Sequence, residues 1–166
     1  MSLSEHHLST ILFRSTKRSA GMEMIEVILR VGAAVVAGAA LGLNRDLHGK
    51  PTGVRTLGLV GLGSAVAVLA VSDSHDVSAV GRVIQGILTG IGFLGAGVII
   101  RTNEGKQIHG LTTAACAWLT ACIGVTCGAG EWRIVLISVL FAFVLLTFGG
   151  RLEKMLHSRL SQPDDD

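Results

Sequence analysis

The sequence predicts an all-α protein, a polytopic membrane bundle of about five transmembrane helices with glycine-rich packing interfaces. Three observations lead there. The 166 residues are 49% hydrophobic and only 16% charged, with a mean hydropathy of +0.59, whereas a soluble domain carries about a quarter charged residues. Glycine is abundant, with 22 residues, as is common where helices pack in lipid. The apolar residues fall into five runs, about 25–43, 55–72, 83–100, 111–129 and 133–150. Each approaches the roughly 20 residues that cross a 30 Å hydrocarbon core at 1.5 Å rise.

Residues 1–21, MSLSEHHLSTILFRSTKRSAG, form a polar, basic extension whose short apolar part precedes its basic part, the reverse of a signal peptide. Met22 stands directly before the first run, and a start of translation there would make the extension an over-long reading frame. Residues 22–150 are read as the transmembrane domain, and 151–166 as a short polar cytoplasmic tail ending in Asp164-Asp165-Asp166.

The first run holds Glu26 and Arg30, whose i,i+4 spacing favours a structural ion pair at the membrane interface. It also holds Gly38-x-x-x-Gly42, a spacing that lets two membrane helices approach closely. The loop NRDLHGKPTGVRT, 44–56, follows with Arg45, Asp46, His48, Lys50 and Arg55 in a dozen residues. Beyond the second run, Asp73, His75 and Asp76 offer at most a weak site for a divalent ion, since two acids on a short loop are few ligands.

The third run, GILTGIGFLGAGVII, contains G-x-G-x-x-G from Gly90 to Gly95, the pattern of a dinucleotide-binding turn. That turn needs an acid about 20 residues further on to hold a ribose. Glu104 comes too early and Glu131 too late, and no G-K-[ST] follows, so no nucleotide cofactor is expected. Helical spacing instead puts Gly86, Gly90 and Gly97 on one stripe with Phe93, and Gly92 and Gly95 on the opposite one. Two small-residue stripes predict close neighbours on both sides, and therefore a central position in the bundle.

The segment RTNEGKQIHG, 101–110, brings Arg101 and His109 before the fourth run, which opens Gly110-Leu-Thr-Thr113 and carries Gly124-x-x-x-Gly128. Thr112 and Thr113 suit a helix start or a hydrogen bond between helices. Cys116, Cys122 and Cys127 are spaced unlike a zinc site and read as small buried hydrophobes.

Charge sets the orientation. Arg45, Lys50, Arg55, Arg101, Lys106, Arg151, Lys154 and Arg159 fall on one side of a five-span chain, with Arg82, Arg133 and the extension's basic residues on the other. Basic loops stay in the cytoplasm, so the N-terminus is expected outside and the C-terminus inside. A formal net charge of +2 gives no indication of nucleic acid. The second to fifth runs hold no carboxylate, and an ion carrier should bring such groups to the midplane. No catalytic or metal-ligating constellation stands out. The polar face of Arg45, Asp46, Arg55, Thr56, Arg101, Thr112 and Thr113 is the candidate surface for a partner or an anionic headgroup, beside contacts with membrane lipids.

The blocks LGLNRDLHGKPTGVRTLGLVGLGSA, GILTGIGFLGAGVIIR and GLTTAACAW, in that order, resemble the MgtC/SapB family of bacterial inner-membrane proteins over about residues 26–130. The motif positions carried over are Arg45, Gly49, Gly53, Arg55, Thr56, Gly90, Gly92, Phe93, Gly95, Gly97, Arg101, Gly110, Leu111, Thr112, Thr113 and Ala114. Asn44 and Leu57 depart from the family's usual acid and histidine. The chain looks most like the short SapB/YhiD-type members without a soluble C-terminal domain.

The resemblance implies a non-catalytic protein of the bacterial inner (plasma) membrane. It would act by binding other membrane proteins, the ATP synthase among them, in adaptation to low magnesium, acid stress or life inside a host. Magnesium or other cation transport is the alternative reading, and a lipid or small-molecule carrier a further one. Glycine-faced helices, Gly38, Gly42, Gly86, Gly90, Gly92, Gly95 and Gly97, serve contacts between copies in a homo-oligomer as readily as contacts within one chain.

Overall fold

Five helices follow one another with short connections, in a computed structural model that describes residues 23–72, 77–101 and 108–160. They are α1 (Met24–Leu47), α2 (Val54–Leu69), α3 (Val77–Val98), α4 (Leu111–Ala129) and α5 (Trp132–Leu160). The extension 1–21, Met22, the trio Asp73, His75 and Asp76, and the last residues of the tail lie outside the described residues, so the expectations placed on them do too. Between α3 and α4, β1 (Ile100–Arg101) pairs antiparallel with β2 (Ile108–His109) in the register Ile100↔His109.

α1, α3, α4 and the Trp132–Gly150 part of α5 are long and apolar enough to cross a membrane. α2 is the short one: its 16 residues reach only about 24 Å at 1.5 Å per residue. The chain is a helical membrane bundle. Three boundaries differ from the hydropathy reading by four residues or more, the first being the start of α3, at Val77 rather than near residue 83. α1 does not stop at residue 43 but runs through Asn44-Arg45-Asp46-Leu47, because nothing breaks the helix before Gly49 and Pro51. α5 does not stop at Gly150 but continues to Leu160, through Leu, Glu, Lys, Met and Arg, all good helix formers.

The larger correction concerns the centre. The third run was expected there, but α4 holds that place: 56% of its spanning window is buried, against 11% for α3. α4 packs on all four other helices, because small residues surround it: Thr113, Cys116, Ala117, Thr120, Ala121, Gly124 and Gly128 are all buried. The two stripes of α3 are mostly unused within the chain. A Cβ added at Gly86, Gly90, Gly92 or Gly97 would meet nothing within 4 Å, and only Gly95 comes near a neighbour, the Cβ of Ala114 at 3.4 Å.

Glycines instead join α1, α2 and α4. A Cβ at Gly38 would strike the Leu57 carbonyl, and one at Gly42 would lie 2.6 Å from the Val54 Cα. Gly61 on α2 sits between two helices: its own Cβ would fall 2.6 Å from the Ala34 carbonyl of α1, while its carbonyl lies 2.5 Å from where a Gly124 Cβ on α4 would be. Gly128 abuts the Ala65 carbonyl in the same way, at 2.8 Å. Lipid is as apolar as leucine, so dispersion between touching backbones, not the hydrophobic effect, is what such contacts supply. Leu41, Leu57, Ala65, Ile123 and Cys127 fill the space between them.

Candidate functional site

Most of the residues singled out from the sequence gather at one end of the bundle, where α1 ends, α2 and α4 begin, and the two-stranded hairpin closes the α3–α4 connection. The end is built by tight local chemistry. The Arg45 carbonyl accepts from the N–H groups of His48 at 3.1 Å and Lys50 at 3.0 Å, which finishes α1. The next residue starts α2: Asp46 Oδ2 accepts from the Val54 N–H at 3.0 Å, the capping role that a helix N-terminus needs. A Cβ at Gly53 would displace the Asp46 carboxylate from this position. Thr52, between them, holds a left-handed φ of 63°.

Arg45 was expected on a solvated loop. It is buried, with 6% of its surface exposed. Because α1 continues past residue 43, Arg45 faces into the bundle, where its guanidinium donates a short hydrogen bond to Thr113 Oγ1 in the first turn of α4. Its Nε is buried with no hydrogen-bond partner. An arginine keeps its charge in any protein site, and a buried ion without compensation costs several kcal/mol.

The other members divide. Arg55, Thr56 and Thr112 are exposed at this end, Asp46 is exposed and occupied as a cap, and Arg101 lies in β1 with its side chain outside the described residues. Gly110 opens α4 in a left-handed conformation, φ 95°, against the Val98 carbonyl, so no residue with a Cβ fits there. Lacking a side chain, it gives α4 no cap.

At the opposite end, Arg30 and Glu26 form the ion pair expected of their spacing. The sequence did not reveal their third partner. Arg30 Nη1 donates to the Gly128 carbonyl at 2.8 Å, so the guanidinium sits on the C-terminus of α4, where a helix dipole favours positive charge. The residue that ends α4 is again a glycine, Gly130 at φ 78°, and a Cβ there would lie 2.7 Å from that guanidinium.

Between α2 and α3, which barely touch, runs an open groove of about 590 Å³. Thr56, Leu59 and Gly63 line one wall, and Gly86, Gly90 and Leu94 the other. Nothing lies within 4 Å of a Cβ added at Gly63, Gly86 or Gly90. Three hydroxyls inside the spans are engaged locally. Ser64 donates to the Val60 carbonyl at 2.9 Å, Thr120 to the Cys116 carbonyl at 2.8 Å and Thr126 to the Ile123 carbonyl at 2.9 Å. Among the described residues, no three His, Cys, Asp or Glu side chains cluster as metal ligands would.

Comparison with known proteins places this arrangement. The model of the MgtC family matches residues 31–155. Protein SrpB of Synechococcus elongatus is 39% identical over 144 residues, covering 80% of this chain and 79% of SrpB. Protein MgtC of Salmonella typhimurium is 43% identical over 128 residues, 75% of this chain and 54% of MgtC, so the match spans about half the length of that relative. The Escherichia coli protein named putative magnesium transporter YhiD is 37% identical over 137 residues, 74% of this chain and 63% of YhiD. No solved structure matches significantly.

Proposed function

Since this chain belongs to the MgtC family, we propose that it is a non-catalytic protein of the bacterial inner membrane that acts by binding another integral membrane protein. The setting is adaptation to low magnesium, acid stress or a host environment. The observation that carries this reading is the groove between α2 and α3. Gly63, Gly86 and Gly90 open its walls to a neighbour, and none of the described residues fills it. Small residues of this kind allow helix backbones to touch in lipid, and here the contact is left for a second molecule. The ATP synthase is the first partner to test. The chain crosses the membrane several times with its N-terminus outside and its C-terminus in the cytoplasm, as the distribution of basic residues supports.

Photo-crosslinking in native membranes tests it. A photoreactive residue at Ile87 or Leu94, both in the groove, should capture one partner, and the same probe at Phe141, exposed on α5, should capture none. Equal capture at all three positions, or none at any, overturns the reading; capture of a second copy of the chain assigns the groove to a homo-oligomer.

The name of the Escherichia coli relative brings magnesium transport forward as the rival. Magnesium needs a near-octahedral set of oxygen ligands, and the second to fifth apolar runs hold no carboxylate to supply them. The purified chain in liposomes is expected to show no magnesium flux above empty vesicles.

A further inference from the structure

The position of Arg45 asks for a negative charge that the chain does not supply among the described residues. Arg45 is more than nine-tenths buried, its Nε has no partner, and its only bond among the described residues goes to a neutral hydroxyl, Thr113 Oγ1. The two described carboxylates on the same helix are occupied elsewhere, Asp46 with the Val54 N–H and Glu26 with Arg30. Arg45 is also directed at the wrong end of a helix for a cation. Thr113 stands in the first turn of α4, whose N–H groups point outward with no side-chain cap and whose dipole is positive there. Two positive features held together, one of them buried, oppose one another unless an anion neutralises them.

We propose that the first turn of α4 and Arg45 form a binding site for a phosphate oxyanion at the hairpin end of the bundle. Uncapped N–H groups of a helix start are a ready anion cradle, and an arginine fork matches phosphate oxygens better than any other side chain. Leu111 and Thr112 of that turn are exposed, while Thr113 and Arg45 are buried. The site lies where three spanning helices start or finish, the depth of lipid headgroups, so the oxyanion is either the phosphate of an anionic lipid or free phosphate from the aqueous side. The inference is independent of the groove between α2 and α3 and of any protein partner.

The test uses the full chain purified in detergent and read by its unfolding temperature. One arm titrates inorganic phosphate; the other adds phosphatidylglycerol to the micelles, with phosphatidylcholine as the reference of no net charge. The unfolding temperature is expected to rise saturably in one arm, and that arm identifies the source. Arg45→Lys keeps a buried cation but loses the fork and the Nε donor, so it should weaken the response at least about tenfold. Arg45→Met should abolish it. If Arg45→Met does not fold, the wild type and Arg45→Lys still decide the matter. A wild type that responds to neither anion, or an Arg45→Lys protein with unchanged affinity, overturns the proposal.

Discussion

Arg30 of α1 and Gly128 of α4, 98 positions apart, are joined by a 2.8 Å hydrogen bond from guanidinium to carbonyl. With Glu26 holding the same side chain, the bond fixes the first helix to the end of the central one. Replacing Arg30 by Met removes a charge-assisted hydrogen bond and the favourable dipole contact and leaves Glu26 unpaired. A loss of about 1.5–3 kcal/mol is expected. Thermal unfolding in detergent would show it as a clear drop in melting temperature, and Glu26→Gln should cost less, since the Gly128 bond remains.

The glycines of the bundle fall into two classes, and alanine separates them. At Gly124 an added methyl would sit 2.5 Å from the Gly61 carbonyl, a backbone atom that cannot turn aside. Overpacking of this sort costs about 1–3 kcal/mol. At Gly86 the same methyl meets open space, so alanine should leave stability unchanged or raise it by up to about 1 kcal/mol through helix propensity. Melting temperatures of the two variants would therefore move apart.

Asp46 caps α2 from the end of α1. Asp46→Ala should cost about 1 kcal/mol, the usual value for a lost N-cap, and hydrogen exchange should rise at the start of α2 before it rises in α4.

Thr52 holds a left-handed backbone at φ 63°, which costs a residue with a Cβ about 1–2 kcal/mol. Glycine would relieve that strain while gaining freedom in the unfolded chain, so Thr52→Gly should stabilise by less than about 1 kcal/mol. Equilibrium unfolding would detect a small gain; a loss would mean that the bond from the Thr52 hydroxyl to the Pro51 carbonyl outweighs the strain.

Hydropathy was enough to find every helix among the described residues, because the signal lies in each run by itself. The packing of Gly38 and Gly42 was also visible in their four-residue spacing. What the sequence did not disclose was which helix stands at the centre. A glycine stripe says that a face is small, not whether the same chain covers it, and the stripes of α3 are left open where Gly61, Gly124 and Gly128 are covered. Arg45 escaped for a related reason. Its partner Thr113 is 68 residues away, and its burial depends on α1 continuing to Leu47. The missing breaker between Asn44 and His48 was the one local sign of that. Both arginines are held by α4, and no reading of α1 alone could find those contacts.

α2 spans about 24 Å against a hydrocarbon core near 30 Å. Clasped by glycine contacts to α1 and α4, it cannot tilt or slide freely to hide the difference. For α2 to cross a bilayer, the lipid beside its outer face must thin, or the polar groups at its ends must sink inward, at a cost that grows with every ångström of mismatch. A crossing by α2 is therefore easier in thin bilayers than in thick ones, and would make acyl-chain length a variable that stability registers.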